Sequence, residues 1–365
     1  MKHIVVSLPD RSYPIVIGGR LLADFPGMLG PWQGRRLIIV THPVLQRLYG
    51  DALRSRLERG GFRASLLTVP AGEASKCLAV VGRIHERLAR LGAERRSVVI
   101  ALGGGVIGDL AGFVAATYMR GIACVQIPTT LVAQVDSAIG GKTGVNLRAG
   151  KNLVGAFHQP ELVVCDVGVL KSLPRRQYLS GIMEVVKYAL LEDAGFFDYL
   201  EAHFSKLCAR NLTVVEEVVE RCCRIKADIV GADEKEGGLR RVLNLGHTVG
   251  HAIETTAGYG KYLHGEAVGF GLIAALRLAQ RTGSMDADER RRVEKLLGKT
   301  GIDLRIPAIP AGRLTAALAH DKKVRDGRLH FVLPRGIGTV EVTDRIEKSE
   351  IAAVWTEMQR ERVRL

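Results

Sequence analysis

Five short apolar runs, most of them separated by segments long enough for a helix, constrain this chain more than any other feature. They occupy residues 37–40, 65–69, 98–102, 122–127 and 162–166. A strand of four to six residues that is apolar throughout, rather than at alternate positions, is buried on both faces. Strands of that kind joined by helices make a mostly parallel, covered sheet. Residues 3–8 and 13–18 read as a hairpin around Pro9-Asp10-Arg11-Ser12. Residues 75–91 carry apolar side chains at 78, 81, 84, 88 and 91, the helical period, and Gly92 supplies a C-terminal cap.

The texture changes after about residue 175. Residues 178–191, 196–207, 212–229, 243–257, 266–281 and 287–297 read as helices, and only 329–333 and 339–342 as late strands. Two domains are therefore expected, an α/β part over 1–175 and a mostly helical part over 176–365, meeting at Leu173-Pro174-Arg175. With no repeat and no low-complexity linker, the parts are expected to pack directly, with the default ligand site in a cleft between them.

Composition removes several classes. Hydrophobic residues at 47% and charged residues at 25% exclude a disordered chain, and 42 glycines without a three-residue period exclude collagen. The net charge, 52 − 38 = +14, fits either a polyanion partner or an anionic small molecule. The basic residues are scattered in pairs and triplets and aromatics are only 5%, so a nucleic-acid partner is not expected. Six cysteines without a C-x-x-C pair make neither a disulfide framework nor a zinc ribbon, and fit a reducing compartment. The opening residues lack a secretory apolar core. The apolar stretch 98–119 is interrupted by Gly103-Gly104-Gly105 and Asp109. A cytoplasmic protein without a membrane span is expected.

The third run opens into Gly103-Gly104-Gly105-Val106-Ile107-Gly108-Asp109, which puts G-x-G-x-x-G between a strand and an apolar helix. Missing side chains let the backbone approach a pyrophosphate, and the helix N-terminus offers its N–H groups. A tight strand-to-helix turn needs the same glycines, and the motif sits later than a fingerprint on a first strand, so both uses stay open. Pro70-Ala71-Gly72-Glu73-Ala74-Ser75-Lys76 follows another strand and Pro128-Thr129-Thr130 a third, so three adjacent strand ends are expected to line one crevice.

His247 and His251 lie four apart, the spacing that lets two imidazoles on one helix face reach a metal. The Glu that a metalloprotease places after the first His is absent. His264 lies 17 residues after His247, and Glu184 is an acid on an apolar helical face, where it needs a partner. Surface histidines and a Glu184–Lys187 pair account for the same residues without a metal. Gly140-Gly141-Lys142-Thr143-Gly144 is half a phosphate-binding loop, because Val135 stands where the first glycine belongs. Lys142, Lys151, Asn152, Lys187, Lys226, Arg240 and Asn244 all lie near these motifs and together suit a small polyanion.

These residues resemble the 3-dehydroquinate synthase family of sugar phosphate cyclases. The resemblance is carried by PAGEASK at 70–76, LGGGVIGD at 102–109, YMRG at 118–121, PTT at 128–130, QVDSAIGGKTGVN at 134–146 and GKNLVGAFHQP at 150–160. It continues through GIMEVVKY at 181–188, NLGHTVGHAIE at 244–254, HGEAV at 264–268 and DKK at 321–323. It implies a Rossmann-like α/β domain that binds NAD⁺, followed by a mostly helical domain. It implies a divalent cation, Zn²⁺ or Co²⁺, on Glu184, His247 and His264, with His251 at the substrate phosphate instead of the metal. NAD⁺ contacts are implied at Gly72, Glu73, Lys76, Gly104, Gly105, Val106, Gly108, Asp109, Thr129, Thr130, Lys142 and Lys151. Substrate contacts are implied at Asp136, Lys142, Asn152, Lys187, Lys226, Arg240, Asn244, His251 and one of Lys322 and Lys323. Arg120 matches an arginine that reaches a neighbouring subunit's site, which implies a homodimer.

The activity implied is the conversion of 3-deoxy-D-arabino-heptulosonate 7-phosphate to 3-dehydroquinate and phosphate, in the shikimate pathway toward chorismate and the aromatic amino acids. It runs through transient oxidation by NAD⁺, phosphate β-elimination, re-reduction and aldol closure. Two positions depart from the family pattern: Thr41-His42-Pro43 where an Asp or Asn is frequent beside the adenosine ribose, and Ser172 where Thr is usual. The alternatives are cyclases of substrates lacking the carboxylate, against which Lys226, Arg240 and Asn244 argue, and a polyol dehydrogenase that would release NADH.

Overall fold

The computed structural model describes residues 1–364 except 259, 303–304, 320–323 and 326–327. In chain order the strands are β1 (Lys2–Val6), β2 (Tyr13–Gly18), β3 (Arg36–Thr41), β4 (Arg63–Thr68), β5 (Val98–Gly103), β6 (Ala123–Pro128), β7 (Lys142–Leu147), β8 (Gly150–Phe157), β9 (Leu162–Asp166), β10 (Val324–Arg325), β11 (Arg328–Leu329), β12 (Phe331–Pro334) and β13 (Val340–Thr343). The helices are α1 (Leu21–Met28), α2 (Pro43–Leu45), α3 (Asp51–Arg59), α4 (Leu78–Arg90), α5 (Gly105–Thr117), α6 (Arg175–Glu192), α7 (Ala194–Cys208), α8 (Leu212–Ala232), α9 (His247–Ala257), α10 (His264–Arg281), α11 (Ala287–Gly298), α12 (Ala311–Ala319) and α13 (Lys348–Arg360). No helix among the described residues is long and apolar enough to cross a membrane.

The chain forms two units, Met1–Leu173 with Val215–Lys235, and Pro174–Val214 with Glu236–Leu365. The first holds a seven-stranded sheet in the order β1-β2-β9-β6-β5-β3-β4. Its β1–β2 hairpin is antiparallel and every other pair is parallel. The five apolar runs are β3, β4, β5, β6 and β9, each within two residues at either end. Alternate residues feed two cores. Ile38, Val40, Val99 and Ala101 pack with Val81, Ile84, Leu110 and Val114 of α4 and α5. Leu37, Ile39, Val98, Ile100 and Leu102 pack with Phe25, Leu53 and Leu57 of α1 and α3. Covering both faces is what makes these strands apolar at successive positions.

Two features differ from the sequence expectation. First, β3 lies between β5 and β4, so the turns at 70–76 and 103–109 do not follow neighbouring strands. The connection through α4 carries the chain past β3 to its far side, which no local pattern records. Second, Val215–Lys235 groups with the first unit instead of the helical part. Lys2 of β1 pairs with Glu217 at 2.7 Å and with Glu220, and Cys223 Sγ donates to Gln134 O at 3.3 Å. A Cβ on Gly231 would lie 2.9 Å from Ser7 O, so α8 runs against the backbone of this unit.

Among the described residues, the regular structure of the second unit is helical apart from β10–β11, β12–β13 and an isolated bridge between Arg305 and Arg364. Here α9 begins at His247, four residues later than the periodicity predicts, because Leu239–Asn244 wind as a 3-10 turn and Gly246 takes φ +76°. Helix α10 meets both neighbours backbone to backbone. A Cβ on Gly271 would lie 1.8 Å from Gly246 O beside α9, and one on Gly265 1.9 Å from Ser180 O of α6. Gly271→Ala is therefore expected to destabilise the protein by about 1–3 kcal/mol or more through overpacking. Gly82→Ala, at an exposed α4 position with open space around it, should stabilise by about 0.5–1 kcal/mol. Thermal midpoints of the two variants check both signs.

Candidate active site

The parallel register aligns strand ends in the first unit. Gly103 pairs with Pro128 across β5–β6, and Thr129 N donates to Gly103 O at 2.9 Å, so the glycine turn and the Pro128-Thr129-Thr130 turn leave the sheet side by side. On the other flank Thr41 Oγ1 donates to Leu102 O at 2.8 Å, and Val69 N to Thr41 O at 2.9 Å. The turn from β5 into α5 has no room for side chains. A Cβ on Gly104 would lie 2.9 Å from Thr130 Cγ2, and one on Gly105 2.9 Å from Ser137 Oγ. Val106 and Gly108 follow in the first turn of α5.

Lys76 is 5% exposed and pairs with Asp109 and with Asn152 Oδ1, the latter at 2.5 Å. Burial pushes the Asp109 carboxyl up, against the pull of Lys76. Asn146 ties the 72–76 segment to the β7–β8 hairpin. Its Nδ2 donates to Glu73 Oε1 at 2.7 Å, its backbone N to Lys76 O at 2.8 Å, and its Oδ1 accepts from Asn152 N at 2.9 Å. The sequence reading assigned Asn146 no role, although it closes the quoted run at 134–146. Lys142 starts β7 and is exposed, Lys151 is half-buried on β8, and Arg120 is exposed with φ +68°. Lys226, also 5% exposed, donates to Asp136 Oδ1 at 2.5 Å and to Asp136 O at 2.6 Å. His42 follows β3, and its buried Nδ1 meets no hydrogen-bond partner among the described residues. Ser172 accepts a hydrogen bond from Tyr49 Oη at 2.7 Å.

The second unit gathers the metal candidates. Glu184 on α6 is 0% exposed, and Lys187 one turn on is 1% exposed, with Nζ 2.6 Å from Glu184 Oε2. His247 Nε2 and His264 Nε2 lie 3.6 and 3.2 Å from Glu184 Oε1. One donor atom from each of Glu184, His247 and His264 lies within 4.8 Å of the others, a set that can hold a cation. Two imidazoles and a carboxylate are the donors a catalytic divalent ion uses while keeping a position open for substrate. His251 falls in a second group, with Glu254 and His264, so the i, i+4 spacing does not by itself select the pair that shares a ligand set. Burial holds the His247 imidazole well below its ordinary value, with Lys187 adding to the effect. Burial opposes protonation of His264 too, but the nearby carboxylates of Glu184 and Glu254 prevail and push it up to about 10. Arg240 lies in the 3-10 turn, and Asn244 Nδ2 donates to Glu236 Oε1 at 3.0 Å. Lys322 and Lys323 lie outside the described residues.

This architecture is that of the sugar phosphate cyclases. It matches a 2-epi-5-epi-valiolone synthase from Streptomyces hygroscopicus subsp. jinggangensis, solved with NAD⁺ and Zn²⁺ bound, at TM-score 0.90 and 32% identity over 97% of this chain and 99% of that one. It matches a 2-deoxy-scyllo-inosose synthase complexed with carbaglucose-6-phosphate, NAD⁺ and Co²⁺ at TM-score 0.90 and 28% identity, over 98% and 100%. Among curated proteins, the 3-dehydroquinate synthase of Desulforamulus reducens is 44% identical over 97% of this chain and 99% of its own length. That of Pseudomonas aeruginosa is 46% identical over 94% and 93%. The family models for the 3-dehydroquinate synthase N-terminal and C-terminal parts match residues 66–180 and 181–324. The chain belongs to the 3-dehydroquinate synthase family.

The Lys76–Asp109 pair gives a pH-dependent test. Removing the ammonium in Lys76→Met leaves Asp109 with a folded-state value raised further above its unfolded one. The carboxyl then destabilises the fold increasingly as pH rises through that value. The deficit should be about 1.5–3 kcal/mol near pH 8 and shrink toward pH 5. Adding Asp109→Asn should recover most of it. Urea denaturation at the two pH values measures the difference.

Proposed function

We propose that this chain is a 3-dehydroquinate synthase, which converts 3-deoxy-D-arabino-heptulosonate 7-phosphate to 3-dehydroquinate and inorganic phosphate. Its resident groups are NAD⁺ and a divalent cation, Zn²⁺ or Co²⁺. When bound, NAD⁺ supplies an oxidation that is reversed within the same cycle, and the cation polarises the hydroxyl that is oxidised.

In this reading Glu184, His247 and His264 hold the cation. Glu73, Lys76, Asp109, Thr129, Thr130 and Lys151 grip the dinucleotide beside the glycine turn, where the backbone of 104–105 admits its phosphates. Lys142, Asn244 and His251 bind the substrate phosphate, joined by Arg120 of a second copy in a homodimer. Arg240, Lys226 and a lysine of the 322–323 pair bind the carboxylate. Lys187, Asn152 and Asp136 orient hydroxyls, and Lys187, buried against Glu184, can hold or release a proton at the hydroxyl it contacts.

Arg240 carries the choice of substrate. The residue is only 2% exposed. Burying so polar a group suits two-pronged recognition of a planar carboxylate, a group the carboxylate-free substrates do not offer. The solved relatives named above are cyclases of other kinds, which keeps a carboxylate-free substrate as the second reading. Phosphate release from the heptulosonate phosphate distinguishes them. It should require the cation, accumulate no NADH, and fall by about 10²–10³ in kcat/KM in Arg240→Ala. Undiminished turnover of the acid by that variant would favour the second reading.

The dimer proposal has its own test. Arg120→Ala and His247→Ala are each expected to be inactive. Mixed and reassembled, they place one intact site in each heterodimer and should recover about a quarter of the wild-type rate. No recovery from demonstrated heterodimers would place Arg120 in its own subunit's site or in none.

A further inference from the structure

Two of the three cation donors are rings, and a ring must be turned as well as placed. His247 is turned by the backbone: its Nδ1 lies 3.1 Å from Leu245 O, which leaves Nε2 facing Glu184. On His264 a second carboxylate stands at the far edge of the ring. While Nε2 lies 3.2 Å from Glu184 Oε1, Nδ1 lies 3.6 Å from Glu254 Oε2. Glu254 is itself buried, on α9 seven residues beyond His247 and so two turns along the same face. A second buried acid in a cluster that already holds Glu184 costs stability through desolvation and like-charge repulsion. Its position calls for a use.

We propose that Glu254 is the positioning residue for His264, accepting a hydrogen bond from its Nδ1–H so that the Nε2 lone pair is aimed at the cation held with Glu184 and His247. The proposal rests on the reading that a cation binds there. At 3.6 Å the contact is an ion pair and not yet a hydrogen bond; the bond forms as Nε2 is engaged. Glu254 also belongs to the alternative group with His251 and His264. A neutral imidazole has one lone pair, so a ring that gives Nε2 to a cation keeps its proton on Nδ1 and cannot serve both groups as a ligand. The shorter contact to Glu184 and the prior orientation of His247 toward the same carboxylate favour the first group, which leaves Glu254 as the acceptor behind the ring. Carboxylates in that place orient a metal-bound histidine and raise its basicity.

The test reads metal binding, not turnover. Full-length protein stripped of metal is titrated with Zn²⁺ against a chromophoric chelator, and with Co²⁺ by visible absorption. Glu254→Leu should weaken Zn²⁺ binding by about 10–100-fold. Glu254→Gln, whose amide oxygen still accepts from Nδ1–H, should lose less. Band intensity per bound Co²⁺ should stay at the wild-type level in both, because no ligand is lost, whereas His247→Ala should change it. Unchanged affinity in Glu254→Leu would overturn the proposal. So would equal losses in both variants accompanied by a lower metal-free thermal midpoint, which would mark a structural role. Co²⁺ bands altered as in His247→Ala would make Glu254 a ligand and overturn it as well. A wild-type chain that takes up neither ion would instead sink the functional reading, and this inference with it.

Discussion

A carboxylate with no exposed surface cannot remain charged alone, and Glu184 sits in the middle of the longest wholly buried stretch of α6. Its charge is met from its own helix by Lys187 and from α10 by His264, with the His247 ring of α9 3.6 Å away. That requires α6, α9 and α10 to stand at fixed distances, closer than ordinary side chains allow. The close approach is made where side chains are missing: Gly271 of α10 against Gly246 O, and Gly265 against Ser180 O one turn before Glu184. Helix α10 is thus pressed on both sides at backbone level, and His264, its first residue, has little freedom to drift from the cluster. Packing and site chemistry in this unit are one requirement.

The first unit solves its positioning problem differently. A parallel ladder in continuous register brings successive strands to an end at one edge of the sheet, so turns far apart in sequence leave it together. Asn146 then fastens the β7–β8 hairpin to the segment that carries Glu73 and Lys76. This is the topological arrangement in which open α/β sheets bind ligands beyond the carboxyl ends of their strands.

Buried parallel strands are legible because burial on both faces leaves an unbroken apolar run, and β3, β5 and β9 could be read almost to the residue. The β7–β8 hairpin was not. Its residues, Lys142-Thr143-Gly144 onward and Gly150-Lys151-Asn152 onward, are glycine-rich and polar, with exposed positions irregularly placed, so neither period 2 nor an apolar run marks it. α8 was visible as a helix, yet amphipathicity states only that one face is covered, never which unit covers it. The site followed the same division. The residues of the glycine turn and the histidines stood out by type and spacing. Asn146 and Glu254 act by holding other residues, and nothing in their type or spacing separates them from ordinary polar positions.

Three lysines are nearly or wholly buried against carboxylates: Lys76 with Asp109, Lys226 with Asp136, and Lys187 with Glu184. Stability does not account for them. The desolvation of both partners cancels much of the Coulombic gain, and apolar pairs of similar volume would leave the fold as stable or more so. What the pairs do provide is an ammonium that is desolvated and held in place by a carboxylate. An anionic oxygen arriving beside such a group meets a cation already stripped of water and fixed in place, so little reorganisation accompanies binding. All three lysines are residues that the functional reading assigns to NAD⁺ or substrate. On the proposed function, these three pairs therefore follow the demands of a polyanionic ligand more closely than those of the fold that carries them.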